Sequence, residues 1–199
     1  MEATGRSHHK LLTVLGVGVV ALATLASPNP ALAYHGPLTR GVQQYDPEAR
    51  LRELGFELHT PGAPVANYVN AVRTGNLVFL AGHGPCAADG TCITGKVPTD
   101  LSVEEGYAAA RTTALSLLSS LKAEIGDLRK VKRIVRVFGM VNSAPDFGQQ
   151  PQVINGCSDL LVAVFGEARG KHARAAVGMA ALPIGIAVEI EMVVEVEPE

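Results

Sequence analysis

The residues best suited to do chemistry are one arginine and one glutamate near the end of the chain. Arg174 is a lone cation in the apolar segment 173–182, and Glu189 lies in segment 186–196, where apolar residues alternate. Both segments have strand patterns, and Pro-Ile-Gly at 183–185 is typical of a turn. The sequence therefore predicts a terminal hairpin that brings Arg174 and Glu189 close together across its ladder. These residue types fit either a cross-strand ion pair or a polar ligand site.

The patterns along the rest of the chain predict the elements that position this pair. In order they are a short helix from 46, a hairpin at 68–82, a short strand at 93–96, a long helix from 102 to 125, a strand at 131–141, a helix at 151–165 and the terminal hairpin. The long helix begins with a capping box, Ser102 to Glu105. This order predicts an α+β fold, a mixed β-sheet with two main helices packed on one face and a short N-terminal helix. The open face predicts self-association.

The first 33 residues have the pattern of an export signal. A weakly basic start precedes the apolar run 11–26, and Ala-Leu-Ala at 31–33 fits a signal-peptidase site. We expect cleavage there, a flexible lead-in at 34–49, and no stable membrane insertion afterwards, because the run is short for a span. The expected location is periplasmic or secreted, with an organelle lumen as an alternative. An uncleaved anchor is the other interpretation of the signal.

Charge and cysteine content limit the function further. The chain of 199 residues has a formal net charge of −2, which argues against nucleic acid as a partner. A local basic cluster at 129–136 is expected to be a solvated flank. Cys86 and Cys92 flank a turn-forming segment and form either a disulfide or two small residues at a hairpin tip. Cys157 is expected to be buried in a helix.

The chain resembles the RidA family, also called YjgF or L-PSP endoribonuclease proteins. The resemblance covers about residues 50–197, which we take as the domain, and implies a chorismate-mutase-like fold. Several motifs carry it: Asn67-Tyr68-Val69, TGNLVF at 74–79, Ala81-Gly82-His83, Ala173-Arg174, Leu182-Pro183 and Val188-Glu189-Ile190-Glu191. The added N-terminal helix and the expanded 141–155 region are similar to a longer branch of the family.

The resemblance implies a homotrimer that hydrolyses enamines or imines of amino acids, typically 2-aminoacrylate, in clefts between subunits. The products would be 2-keto acids and ammonia, and no metal or organic cofactor would be needed. Arg174 would bind the carboxylate of a small-molecule substrate, and Glu189 would hold and activate the attacking water. Tyr68 would line the pocket from the neighbouring subunit, and the backbone of Gly82 would hydrogen-bond the ligand. Asn155 matches a family asparagine.

Three positions depart from the family pattern. Ala176 replaces a common cysteine and implies a roomier, less polar pocket, His172 replaces a proline, and His83 replaces a glutamine. His83 is a candidate ligand contact because it lies beside the expected cleft. The alternative functions are an endoribonuclease and a non-enzymatic trimer that binds small carboxylates or acts like a chaperone. Chorismate mutase activity is only a fold-level analogy, because the site offers a single arginine.

Overall fold

The computed structural model of the protein describes residues 45–64 and 66–198. The predicted signal peptide at 1–33 and the lead-in as far as residue 44 lie outside the described residues. The last residues of the expected lead-in belong to the first helix, which begins at Pro47. No helix in these two ranges is long and apolar enough to cross a membrane.

The described residues form a five-stranded mixed sheet and four α-helices, which confirms the α+β prediction. The elements are α1 (Pro47–Glu53), β1 (Ala71–Thr74), β2 (Leu77–His83), α2 (Val103–Ile125), β3 (Val131–Asn142), α3 (Gln150–Phe165), α4 (Glu167–Gly170), β4 (Ala173–Met179) and β5 (Val188–Val196). The strand order is β1-β2-β5-β3-β4. All neighbours are antiparallel except β3 and β4, which are parallel.

Local hydrogen bonds explain why the helices begin where the sequence predicts. The Ser102 hydroxyl accepts from the Glu105 amide at 3.1 Å, and the Ser102 amide donates to the Glu105 carboxylate at 2.7 Å. This capping box satisfies amides that have no partner inside the first turn of α2. Asp46 caps α1 by accepting from the Ala49 amide at 2.9 Å. Gly126 ends α2 with a φ of 80°, a conformation that favours glycine.

The core lies between one face of the sheet and helices α2 and α3. Strand β5 alternates so that every second side chain is buried in this core, namely Val188, Ile190, Met192, Val194 and Val196. The opposite face of the sheet is open in the single chain, where Val72 is 55% exposed and Phe79 is 45% exposed. The alternation thus leaves one sheet face with exposed apolar side chains in the single chain.

The predicted terminal hairpin is wrong. Strand β4 pairs in parallel with β3, while β5 lies between β2 and β3 and pairs with both. The connection at 180–187 bonds to another loop, because the Gly95 amide donates to the Gly185 carbonyl and the Ala187 amide to the Ile93 carbonyl. The short strand predicted at 93–96 is also wrong, since this segment forms only isolated bridges such as Thr94 with Ile186.

Gly156 allows α3 to pack closely against α2, and its substitution tests this packing. A Cβ at position 156 would overlap the carbonyl oxygen of Tyr107 and lie 2.8 Å from its carbonyl carbon. Because backbone cannot yield as a flexible side chain does, we expect Gly156→Ala to lower the free energy of unfolding by about 3 kcal/mol. Urea unfolding measures this change. The matched control is Gly148→Ala, where the new Cβ meets no atom within 4 Å, and an equal loss in both variants would contradict the packing argument.

Candidate functional site

Arg174 is held against α3 on the helix-covered face of the sheet. It is in register with Val137, a core residue, so its side chain shares the face that α2 and α3 cover. Its guanidinium donates to the Asn155 side-chain oxygen at 2.8 Å, the Ser158 hydroxyl at 3.0 Å and the Pro151 carbonyl at 3.4 Å. Three of its five N–H donors are used by these described partners, and the residue is exposed. The guanidinium is thus fixed in place with donors left for a ligand.

A second hydrogen-bond chain orients the serine that holds Arg174. His172 donates from Nδ1 to the Gly170 carbonyl at 2.6 Å, because a carbonyl can only accept. Its Nε2 then accepts from the Ser158 hydroxyl at 3.0 Å, which leaves the Ser158 oxygen free to accept from Arg174. Burial lowers the pKa of His172, which favours the neutral ring that this chain requires. Sequence reasoning missed Ser158, although its three-residue spacing from Asn155 places both on one helix face.

Glu189 lies on the opposite face of the sheet, against Gly82. It is half-buried on β5 and in register with Met140. Its two neighbours in the chain are core residues that point towards the helices, so its own side chain points to the other face of the sheet. A Cβ at position 82 would overlap the Glu189 Oε1 atom, so only glycine permits this approach. Burial, and secondarily the Glu191 carboxylate, raise the pKa of Glu189. A carboxylate with a raised pKa is a stronger base once ionised, which suits it to accept a proton from water.

Within one chain, Arg174 and Glu189 do not meet. Strand β3 lies between β4 and β5, and the two side chains are on opposite faces of the sheet. No ion pair of the described residues joins them, so the expected contact across a terminal ladder is wrong. The physical reason is that β5 bonds β2 and β3 on its two edges and has no edge left for β4.

The predicted site residues therefore fall into two groups. The first group lies on the helix-covered side and consists of Arg174, Asn155 and Ala176. Ala176 pairs with Gly139, and a Cβ on Gly139 would overlap Ile154 of α3. The second group contains Glu189, Gly82, His83 and Tyr68. The last three line one cavity of about 390 Å³, and Tyr68 is 46% exposed at it.

The cavity lies between the connector at 59–64, the end of β2, α2 and the loop that follows β2. Cys86 and Cys92 form a disulfide in that loop, so the first of the two interpretations of this pair is confirmed. Both cysteines line the cavity. The Ser116 hydroxyl of α2 donates to the Cys86 carbonyl at 3.4 Å. Cys157 takes no part, because burial raises its pKa to about 12 and keeps the thiol protonated.

His83 lines the cavity, and both of its ring nitrogens are hydrogen-bonded. Nδ1 donates to the Ala81 carbonyl at 2.8 Å, so Nε2 accepts from the Ser120 hydroxyl at 2.7 Å. Burial is the main cause that lowers the pKa of His83. Sequence reasoning missed Ser120, which is buried on α2. A serine on the apolar face of an amphipathic helix indicates that its hydroxyl has a hydrogen-bond partner on another element.

Described neighbours engage most cations of the basic cluster. In the basic cluster, Arg129 pairs with Asp127 at 2.6 Å, and Lys132 and Arg133 both pair with Glu195 at 2.9 and 3.5 Å. Lys130 donates to the Ile125 carbonyl at 2.7 Å. The described part of the chain also contains no group of three or more His, Cys, Asp or Glu side chains that could hold a metal ion.

The fold and these motifs agree with a known family. Residues 48–196 match the family described as "YjgF/chorismate_mutase-like, putative endoribonuclease". The chain is 47% identical over 147 residues to protein TCP17 of Trypanosoma cruzi, which covers 74% of this chain and 92% of TCP17. The chain belongs to this YjgF/chorismate mutase-like family, which includes the RidA and L-PSP proteins.

Solved structures support the same assignment. The Agrobacterium tumefaciens protein Atu1372, of unknown function, is 43% identical with a TM-score of 0.70, over 76% of this chain and 94% of that one. A Shewanella oneidensis protein with the same endoribonuclease description is 32% identical with a TM-score of 0.73, over 76% of this chain and 99% of that one. The family and the fold of this chain are therefore established.

The half-buried histidines His83 and His172 predict how stability depends on pH. Because burial lowers the pKa of His83 below its ordinary value near 6.5, the neutral ring stabilises the fold. This contribution is present above about pH 6.5 and is lost as the pH falls through the folded-state pKa. We expect the free energy of unfolding to fall from pH 7 to pH 5, and to fall less steeply in His83→Gln. Urea unfolding across this range measures the slope.

His172→Gln is the comparison variant, since burial lowers the pKa of His172 in the same direction. Each variant is expected to remove part of the slope and the double variant more than either. A His83→Gln protein with the full slope of the unmodified protein would show that the ring is not held neutral.

Proposed function

We propose that the protein hydrolyses reactive enamines and imines of amino acids to 2-keto acids and ammonia, at clefts that a neighbouring subunit completes. One observation carries the proposal. The motifs that resemble the family include both Arg174, an anchored guanidinium with free donors, and Glu189, a carboxylate of raised pKa. The two side chains nevertheless lie on opposite faces of the sheet. A second copy can unite them, whereas the single chain cannot.

The open sheet face supports assembly into a homotrimer. Val72 and Phe79 are about half exposed there, and Phe138 is partly exposed with Arg136 stacked 5.4 Å from its ring centre. In a cyclic trimer each subunit contributes two different surfaces, one to each neighbour. Such an interface places the Arg174 group of one subunit against the Gly82 and Glu189 group of the next. The divided arrangement of site residues fits this symmetry.

The proposed reaction uses only side chains of this protein. Arg174 binds the substrate carboxylate through two parallel hydrogen bonds, which fixes the neighbouring imine carbon. Glu189 accepts a proton from water as the water oxygen bonds to the carbon of the protonated imine, and the electron pair of the C=N π bond becomes the lone pair of a neutral amine nitrogen. Glu189 then returns that proton to the nitrogen, and the carbon–nitrogen bond breaks as ammonia leaves. The remaining hydroxyl gives its proton to Glu189 as its oxygen becomes the carbonyl of the 2-keto acid. An enamine first takes up a proton on carbon to become the protonated imine.

Two further parts of the proposal concern location and partners. We propose that the protein is exported, and the Cys86–Cys92 disulfide supports an oxidising compartment. The paired basic cluster supports a small carboxylate rather than RNA as the ligand. A trimer that binds such acids without hydrolysis is the alternative.

Substitution of the two charged residues tests the reaction. Imines are generated in place from amino acids, and the capture of imine by semicarbazide competes with its enzymatic hydrolysis. We expect Arg174→Ala to lower kcat/KM by about 100-fold or more, because the substrate carboxylate loses a charge-assisted bidentate partner. Arg174→Lys should recover only part of this, since an ammonium cannot bind in the same planar manner. Glu189→Gln should lower kcat by about 100-fold or more, because an amide cannot accept the proton.

The matched control is Arg52→Ala, which removes an exposed cation far from both groups in sequence. It should keep the activity of the unmodified protein. If the unmodified protein matches the uncatalysed rate with every imine, hydrolysis is excluded. Retained binding of a 2-keto acid that Arg174→Ala abolishes would then favour the carboxylate-binding alternative.

A further inference from the structure

A second cavity lies at the opposite end of β4 from Arg174. It holds about 470 Å³, within the usual range of small-molecule pockets, and we call it the Lys96 cavity. Its walls come from the Lys96 side chain, the loop between β3 and α3, the first residue of α3 and the end of β4. Gly178 in this wall lies four strand positions from Arg174, which is about 13 Å along an extended chain. The Lys96 cavity therefore lies outside the site already described.

The order of the elements explains why a cavity forms at this place. Strands β3 and β4 are parallel and the chain between them forms α3 and α4, so the last residues of both strands and the first turn of α3 lie at one end of the sheet. Crevices outside the carboxyl ends of parallel strands are common ligand sites. Helix α3 has 16 residues, and no described side chain caps its first turn. The Gln150 backbone amide, which bonds no described residue, and the helix dipole favour a negative charge there.

A buried hydroxyl at the Lys96 cavity has no partner among the described residues. Ser143 lines the cavity and is 7% exposed, and no described atom forms a hydrogen bond with its hydroxyl. Its oxygen lies 2.5 Å from the point that a Cβ on Gly178 would occupy, and the Gln150 side-chain nitrogen lies 2.8 Å from the same point. Glycine at position 178 thus leaves a space between two polar groups. Because buried polar groups are normally hydrogen-bonded, the hydroxyl indicates a polar ligand in that space.

Lys96 supplies a positive charge, and no ion pair among the described residues includes it. Its ammonium donates to the Asn142 side-chain oxygen and to the Ala180 carbonyl, each at 2.6 Å. Both acceptors are neutral, and the third N–H of the ammonium remains for a ligand. The described lining contains no Asp or Glu side chain, and Asp146 in the adjoining loop is exposed and outside that lining. The Lys96 cavity therefore favours an anion.

The donors and the remaining walls indicate which kind of anion fits. A lysine ammonium is a compact point charge that binds phosphate well, whereas the planar fork of arginine matches a carboxylate. Helix N-termini are likewise common phosphate sites. Ala144, Pro145 and Met179 add apolar surface to the cavity, which is larger than one phosphate group. A fitting occupant therefore carries an uncharged part beside its phosphate.

We propose that the Lys96 cavity is a binding site for a small phosphate monoester. The Lys96 ammonium, the Ser143 hydroxyl and the Gln150 backbone amide donate to the phosphate oxygens. The uncharged part of the ester packs against Pro145 and Met179. This inference goes beyond the proposed function, because neither Arg174 nor Glu189 takes part in it.

Calorimetric titration of the intact protein in a phosphate-free buffer measures this binding. Phenyl phosphate and benzoate carry the same ring on the two kinds of anion, and we expect phenyl phosphate to bind at least about tenfold more tightly. Lys96→Gln should weaken the binding of phenyl phosphate at least about tenfold, because a charge-assisted hydrogen bond is lost. Ser143→Ala should weaken it about tenfold without loss of stability in urea unfolding, since the hydroxyl has no described partner to lose.

The controls separate this site from general attraction of anions and from the Arg174 group. Lys171→Gln removes the same charge from an exposed lysine that pairs with Glu167 at 2.8 Å, and it should keep the affinity for phenyl phosphate. Equal affinities in Lys171→Gln and Lys96→Gln, tighter binding of benzoate, or no binding of phenyl phosphate each overturn the inference. Binding that Arg174→Ala abolishes and Lys96→Gln preserves also overturns it, because the ester then lies at the other site. These results concern binding alone and leave the proposed imine hydrolysis untouched.

Discussion

The pairing of β5 with both β2 and β3 is the constraint on which the rest of the structure depends. Five apolar side chains of β5 are buried against the helices, which places this strand in the middle of the sheet. Because both edges of β5 are bonded, β4 can pair only beyond β3, which places Arg174 on an edge strand of the sheet. Glu189 then lies over the end of β2. Burial of one face of one strand thus decides where both charged groups of the site are found.

The two groups use the same physical device to hold a functional side chain. His172 lies beside the first group and His83 belongs to the second, and each ring donates from Nδ1 to a nearby carbonyl and accepts a serine hydroxyl at Nε2. Ser158 in turn accepts a hydrogen bond from Arg174, and the His83 ring lines the cavity. Burial lowers the pKa of both rings and favours their neutral form, so these hydrogen bonds fix the positions of side chains without introducing a charge. The net result is one fixed cation and one partly desolvated carboxylate, as hydrolysis of an acidic imine would require.

The sequence predicts local features of this protein well and distant pairings poorly. The starts of α1 and α2 were predictable because Asp46 and Ser102 find their partners three residues away. The apolar composition of β4 and the alternation in β5 indicate that both are strands, but neither pattern identifies the neighbouring strands, and the expected hairpin was therefore wrong. The bond between His83 and Ser120 spans 37 positions, so no local pattern reveals it. The resemblance to the family made Arg174 and Glu189 candidate site residues, while only the fold shows that they lie apart within one chain.

The most direct test of the account is a mixing experiment with Arg174→Ala and Glu189→Gln subunits, each inactive alone. If every cleft takes Arg174 from one subunit and Glu189 from the next, oligomers assembled from equal amounts of the two variants regain about a quarter of the unmodified activity, because one interface in four joins two intact contributions. Sedimentation of the mixture confirms that the subunits have combined. Activity no higher than that of either variant alone, in oligomers that have combined, would contradict a site divided between subunits.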